Sequence, residues 1–249
     1  MKKVLLAVAG MLALTATVEA KDWSVIRAGV DAPYPPFEYK APDGTMTGFE
    51  IEVGNLVCQE ITGKDCDWVI QAWDGIIPGL LARKYDMIFS SMSINEERQK
   101  RVLFSEPYYN TPSAFFTATG FDPDAAKGKT VGVQRATIQD TYLTEFYTSS
   151  TIKRYTTADD MVVDLKGGRL DAIFVDAPVG MEMLEGTEFK QVGNVIKEPV
   201  RIFGEGVGAA FRKRDKELAD KVSAALKKIK ASGQYDDIMN RYFDFDIKI

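Results

Sequence analysis

Apolar side chains alternate along residues 25–30, where Ile26, Ala28 and Val30 share one side, the two-residue period of a β-strand. Pro33, Pro35 and Pro36 follow within residues 31–37 and rule out both a helix and a central strand there. Phe49, Val53, Leu56, Val57 and Ile61 then recur at helical spacing. Residues 66–71 predict a short strand. Residues 74–83 predict a second helix, with Asp74 as its cap and Pro78 in its first turn. Residues 87–89 predict a strand that runs into Ser90, Ser91, Met92 and Ser93. Strand and helix in alternation predict an α/β layer with parallel strands.

The second half repeats the alternation: strands at 130–133, 152–155 and 172–175, helices at 138–147 and 159–166. Asp86-Met87-Ile88-Phe89 and Asp171-Ala172-Ile173-Phe174 form a short internal near-repeat. Five residues after each Asp comes a polar position, Ser91 in one half and Asp176 in the other. Ligands in open α/β sheets bind beyond the carboxyl ends of strands, so polar strand ends from two halves imply a cleft between two lobes. A match of this length also arises by chance. Residues 215–242 predict an amphipathic helical tail, with Leu218, Val222, Leu226 and Ile229 on one stripe and Gly233 breaking it in two. Residues 110–116 and 202–207 are the expected hinge crossings.

Composition narrows the chemistry. A length of 249 residues makes one large domain or two modest ones, and 45% apolar with 27% charged residues is ordinary for a globular chain. A formal charge of −5 without a basic tract argues against nucleic acid as a partner. The chain has no histidine, which excludes a Ser–His–Asp triad, a Cys–His pair and any His-based metal site. Lys2 and Lys3 precede an apolar stretch over residues 4–16, and Val18-Glu19-Ala20 offers small residues for cleavage. Residues 1–20 therefore read as a secretory signal peptide, because the apolar stretch falls short of the roughly 20 residues a membrane span needs. In an exported protein Cys58 and Cys66 are expected to be bridged, which would contribute on the order of 2–3 kcal/mol. Two buried thiols are the alternative.

An α-amino acid asks a cleft for a cation, a carboxylate and a wall for its side chain. Arg98 could fork onto a carboxylate, although the charged run over residues 95–101 equally reads as a solvated surface. Asp176 follows an apolar strand, where an acid points into a cleft or simply makes the turn before Pro178. Tyr34 and Trp73 could stack on a ligand or cap the core.

These residues accumulate into a resemblance. Asp31-x-x-Tyr34-x-Pro36-Phe37-Glu38, Gly48-Phe49-Glu50-Ile51-Glu52 and Ser90-Ser91-Met92-Ser93-Ile94-x-x-x-Arg98 resemble the periplasmic amino-acid-binding proteins of ABC importers. The nearest subgroup is the lysine/arginine/ornithine- and histidine-binding one, and the likeness runs from about Val25 to Asp246. It implies a two-lobed type II periplasmic-binding-protein fold, each lobe a mixed, mostly parallel sheet flanked by helices. Residues 21–110 and 206–249 would form one lobe and 111–205 the other. It also implies a cysteine bridge where Cys58 and Cys66 stand.

Roles follow from the resemblance position by position. Arg98 would take the ligand carboxylate, with the Ser93 N–H and the helix N-terminus at Thr137. Asp176 would hold the α-ammonium together with Ser91 and Ser93. Tyr34 and Trp73 would sandwich the side chain, and Asp31 and Ser90 would meet a distal cation with Gln139 nearby. A neutral side chain would leave Asp31 desolvated and bare, which favours a basic amino acid. The resemblance implies a periplasmic monomer that closes on its ligand and serves an inner-membrane permease, without cofactor or metal. Ile138 and Gln134-Arg135-Ala136 depart from the family pattern, the latter replacing a more usual apolar residue and glycine. Residues 71–78 also resemble opine-binding relatives, so an opine such as octopine is a second ligand class. Dehydratases acting on prephenate or arogenate share this fold, so fold alone does not decide function.

Overall fold

The computed structural model describes residues 23–118 and 120–249, and the signal segment expected over residues 1–20 lies outside them. The first sheet begins with β1 (Arg27–Val30), and a hairpin of β2 (Tyr39–Lys40) and β3 (Met46–Thr47) stands beside it. β4 (Asp67–Ile70), β5 (Met87–Ile88) and β6 (Leu103–Phe104) follow in the same sheet. The second sheet takes β7 (Ser113–Thr117), β8 (Thr130–Gln134), β9 (Thr151–Tyr155), β10 (Ala172–Asp176) and β11 (Lys190–Ile196). The chain then returns to the first sheet for β12 (Ala210–Phe211). The strand orders are β4-β1-β5-β12-β6 and β11-β7-β10-β8-β9.

Both sheets are mixed. β1 runs parallel to β4 and β5, and β12 enters antiparallel between β5 and β6. β8 runs parallel to β9 and β10, and β7 is antiparallel to both β10 and β11. Helices lie between the strands, some of them the crossovers that parallel pairing requires. They are α1 (Phe49–Thr62), α2 (Ile76–Leu81), α3 (Glu96–Arg101), α4 (Ile138–Phe146), α5 (Ala158–Lys166), α6 (Ala177–Met183) and α7 (Val200–Phe203). The tail forms α8 (Lys216–Ser232) and α9 (Gln234–Tyr242), divided at Gly233, whose left-handed φ of 85° ends the first helix as expected. Leu218, Val222, Leu226 and Ile229 are all buried on one side of α8. Cys58 in α1 is bonded to Cys66 just before β4, tying the end of that helix to the next strand.

The internal near-repeat has a structural meaning. Asp86 precedes β5 and its carboxylate accepts the N–H of Arg27, the first residue of the adjacent β1, at 3.3 Å. Asp171 precedes β10 and accepts the N–H of Thr130, the first residue of the adjacent β8, at 2.8 Å. In each sheet the acid ties off the start of a neighbouring parallel strand, and the strand it precedes leads toward the cleft, to Ser90 and Ser91 just beyond β5 and to Asp176 at the end of β10.

Two expectations need correction. The helix expected over 74–83 starts later: Trp73–Gly75 is a 3₁₀ turn, α2 begins at Ile76, and Gly75 caps it. Asp74 makes no cap hydrogen bond and instead faces Arg135 at 3.4 Å, while Pro78 is the third residue of α2. The hinge crossings are also narrower. Residues 113–116 already belong to β7, and Ile202 and Phe203 pack into the second sheet's core. Between the sheets, Val207 donates its N–H to the Tyr109 carbonyl at 2.8 Å, so the two passages lie side by side.

The loop after β1 is seated on α1. The N–H groups of Phe49 and Glu50, free at the helix start, donate to the carbonyls of Pro36 and Phe37 at 3.0 and 2.9 Å. Gly48 permits this approach: it has φ 119°, and a Cβ there would stand 2.3 Å from the Phe37 carbonyl oxygen. Phe37 stacks on Tyr109 with ring centroids 5.3 Å apart, which fixes the loop bearing Tyr34.

Candidate ligand-binding site

The carboxyl ends of β1 and β5 in the first sheet face those of β8 and β10 in the second. One cavity lies between them, with about 330 Å³ of empty space counted out to its open side. All ten residues singled out from the sequence line it, together with Glu38, Gln134 and Ile138.

Arg98 comes from the short helix α3, whose cap Asn95 accepts the Arg98 N–H at 3.0 Å. Its guanidinium is buried, not solvated as the charged run allowed. It donates to the Ser93 carbonyl at 3.0 Å and lies over the Trp73 ring, 5.2 Å from the centroid. Burial pushes its pKa down to about 10, opposed by the nearby Asp176 charge. No carboxylate is bonded to it among the described residues, so most of its forked donors remain for another acceptor.

Asp176 ends β10 and stands where α6 would be capped, yet its side chain makes no cap bond. It turns into the cleft, accepting from Tyr34 Oη at 2.5 Å, Gln139 Nε2 at 2.9 Å and Ser113 Oγ at 3.4 Å. Burial raises it to about 6, and the Tyr34 and Ser113 hydroxyls, the Arg98 charge and the Gln139 amide pull it back toward ionisation. The turn-residue alternative for Asp176 is thereby set aside.

Asp31 stands just beyond β1. Its N–H donates to Ser90 Oγ at 3.0 Å, and its carboxylate accepts from Gln134 Nε2 at 2.7 Å across the cleft. Burial raises it to about 6 as well, and the charge of Asp74 adds to the rise. Gln139, expected near Asp31, instead holds Asp176 and Ser113; the amide at Asp31 belongs to Gln134. Trp73 faces the cleft and donates from Nε1 to the Ala136 carbonyl at 3.1 Å. Thr137 caps α4, accepting the Asp140 N–H at 3.1 Å, with Ile138 buried beside it.

Beneath the first-lobe wall lies a buried polar layer. Glu38 accepts from Ser90 Oγ at 2.8 Å and Ser91 Oγ at 3.0 Å. Glu50 accepts the Ser91 N–H at 2.9 Å, and the hydroxyls of Tyr108 and Tyr109 close on its carboxylate at 2.7–2.8 Å. Burial drives both carboxyl groups upward, and the charge of Glu50 raises Glu38 further. Ser91, at φ 47°, is held between them. The Ser90 hydroxyl gives its proton to Glu38 and accepts from Asp31, which makes it a holder of Asp31.

Sequence reasoning assigned no role to Glu38 or Ser113, and expected Gln134 only as part of a segment that reshapes the pocket's far wall. Gln134 was detectable: it is the polar end of an apolar strand, the same signal that marked Asp176. Ser113 sits opposite Asp176 in the antiparallel pair β7–β10, a pairing that no local pattern announces.

Comparison with known proteins agrees with this geometry. Residues 26–245 match the family of bacterial extracellular solute-binding proteins, family 3. The L-arginine-binding protein of Pseudomonas aeruginosa is 42% identical over 233 residues, 89% of each chain. The lysine/arginine/ornithine-binding periplasmic protein of Escherichia coli strain K12 is 35% identical over 259 residues, 99% of each chain. A solved Salmonella typhimurium periplasmic binding protein, described as having high arginine specificity, superposes with a TM-score of 0.84 at 30% identity. It covers 88% of this chain and 99% of its own. The chain therefore belongs to the bacterial extracellular solute-binding proteins of family 3, with the type II periplasmic-binding-protein fold that the sequence motifs implied.

Proposed function

We propose that this protein captures a basic amino acid, arginine foremost, in the periplasm by closing two lobes, and presents it to an ABC permease in the inner membrane. The lobes are residues 21–110 with 206–249, and residues 111–205. The observation that carries this reading is the opposition of charges: buried Arg98 from the first lobe and buried Asp176 from the second line one cavity, with a second buried acid, Asp31, also lining it. Arg98 takes the ligand carboxylate as a guanidinium fork, helped by the backbone at Ser93 and Thr137. Asp176, steadied by Gln139 and Ser113, takes the α-ammonium with Ser91 and Ser93. Tyr34 and Trp73 flank the side chain, and Asp31, held by Ser90, meets the distal cation. The relatives carry the same ligand class in their names.

Closure strengthens these pairs because it removes water from around them. An opine fits less well, since it carries a second carboxylate on the α-nitrogen, and Arg98 is the single cation lining the cavity among the described residues. We read the chain as a binder and not an enzyme, in line with the binding roles named for its relatives. The test is isothermal calorimetry with arginine, ornithine, lysine, histidine and octopine, with prephenate turnover followed in parallel. Micromolar arginine affinity corresponds to about 8 kcal/mol and is the expected result. No heat with any of the five ligands, or consumption of prephenate, would sink the proposal.

A further inference from the structure

We infer that Gln134 sets the ligand range of this protein: by capping Asp31 from the opposite lobe, it lets the cleft close over a neutral side chain as well as a cationic one. The inference rests on the proposed reading of the cleft and concerns its Asp31 end.

Gln134 is the last residue of β8 and is buried at the cavity wall. Both hydrogens of its amide nitrogen are committed. One goes to the Thr156 carbonyl at 3.0 Å within its own lobe, the other to Asp31 Oδ2 at 2.7 Å in the other lobe. The Thr156 bond therefore aims the amide, so the donor reaches Asp31 whenever the lobes meet. The turn that follows is fixed too, because Thr137 Oγ1 donates to the Gln134 carbonyl at 2.8 Å.

Asp31 needs such a donor. No lysine or arginine of the described residues acts on its charge; besides Gln134 only the backbone N–H of Trp73, in its own lobe, favours the ionised form, and the neighbouring charge is the acid Asp74, itself turned toward Arg135. With an apolar residue at position 134, closure over a neutral ligand would leave Asp31 with the Trp73 backbone N–H but no side-chain donor, and selection for a cation would be stronger. The amide changes this balance. It supplies a neutral hydrogen bond that persists whichever ligand is bound, and a carboxylate oxygen accepting one donor still has lone pairs for a cation. A cationic ligand retains its preference, but a neutral one no longer bears the full cost of a bare buried carboxylate.

Arginine and citrulline test this, since they share a shape and differ in the charge at the distal end. The ratio of their dissociation constants is measured by calorimetry for the wild type and for Gln134→Met, which keeps the length and removes the donor. Gln134→Leu is measured alongside, so that a fold defect in one variant, read from its thermal transition, leaves the other. The citrulline-to-arginine ratio is expected to rise about tenfold in the apolar variants, as for loss of one donor to a buried charge. A ratio that changes by less than about twofold, or falls, overturns the role of Gln134 while leaving arginine binding intact. A wild type that binds neither ligand overturns the reading of the cleft and this inference with it.

Discussion

Asp31 and Asp176 are alike in position and unlike in company. Each stands at the carboxyl end of an interior strand, Asp31 just beyond β1 and Asp176 as the last residue of β10, and each is buried and pushed up to about 6 by that burial. Asp176 is gripped within its own lobe by Gln139 and Ser113, is touched by Tyr34 from the other lobe, and lies in the field of Arg98. Asp31 has one side-chain donor to its carboxylate, and that donor comes from the opposite lobe. The second lobe thus carries a carboxylate anchored before any ligand arrives. The first lobe carries one held within its own lobe by the Trp73 backbone N–H alone, its one side-chain donor coming from across the cleft. An invariant part of the ligand, its α-ammonium, suits the first kind of site, and a variable part, its side chain, suits the second.

The sharpest way to break this comparison is Asp176→Asn. It removes the charge proposed to meet the group common to all α-amino acids, and it leaves the buried Arg98 without its opposing neighbour. Affinity should fall by about a hundredfold for basic and neutral ligands alike, the scale for breaking a buried charge pair. If calorimetry shows a loss confined to basic ligands, the roles of the two acids have been exchanged.

Asp31→Asn should act more narrowly. Arginine and lysine should lose about tenfold, a neutral ligand such as citrulline little, so their affinities converge. Gln134 can still bond an asparagine at 31, which keeps the local geometry. Equal losses for charged and neutral ligands would remove Asp31 from the distal end.

Asp176 was legible in the sequence as a polar residue abruptly ending an apolar strand, whereas Asp31 was legible only through the Asp31-x-x-Tyr34 motif and the family resemblance it carries. The strand–helix alternation likewise gave the parallel parts of both sheets, and Gly233 gave the break in the tail. What stayed hidden depends on long-range antiparallel insertion. β12 enters the first sheet from residues 210–211 and β7 joins β10 only by tertiary pairing, so Ser113 could not be placed beside Asp176 from local periodicity. Arg98 shows the converse limit. Its neighbours are charged and its segment reads as surface, yet the short helix turns this one side chain inward beneath Trp73. Local pattern records which residues are polar, and only packing decides which of them loses its water.

The smallest expected effect concerns how Asp176 is kept ionised. Its raised value means the folded chain holds this proton over a range, roughly pH 4 to 6, in which the unfolded chain has lost it. The group's contribution to the stability of the ligand-free fold therefore decreases as pH rises through that window. Ligand binding has the opposite sign, because an ammonium needs the carboxylate ionised; from pH 7.5 to 5, arginine affinity should fall by about tenfold for each acid titrating near 6. The hydroxyl of Tyr34, 2.5 Å from Asp176, favours the ionised form. Tyr34→Phe should cost about fivefold in affinity at pH 7.5, the scale of one hydrogen bond, and should move the onset of the acid loss to higher pH. Asp31 has no bond to Tyr34, so in the Asp31→Asn background the same upward movement should persist undiminished. Calorimetry of the single and double variants between pH 5 and 8 measures it, and an onset unmoved by Tyr34→Phe would mean that Gln139, Ser113 and Arg98 keep Asp176 ionised without the cross-cleft hydroxyl.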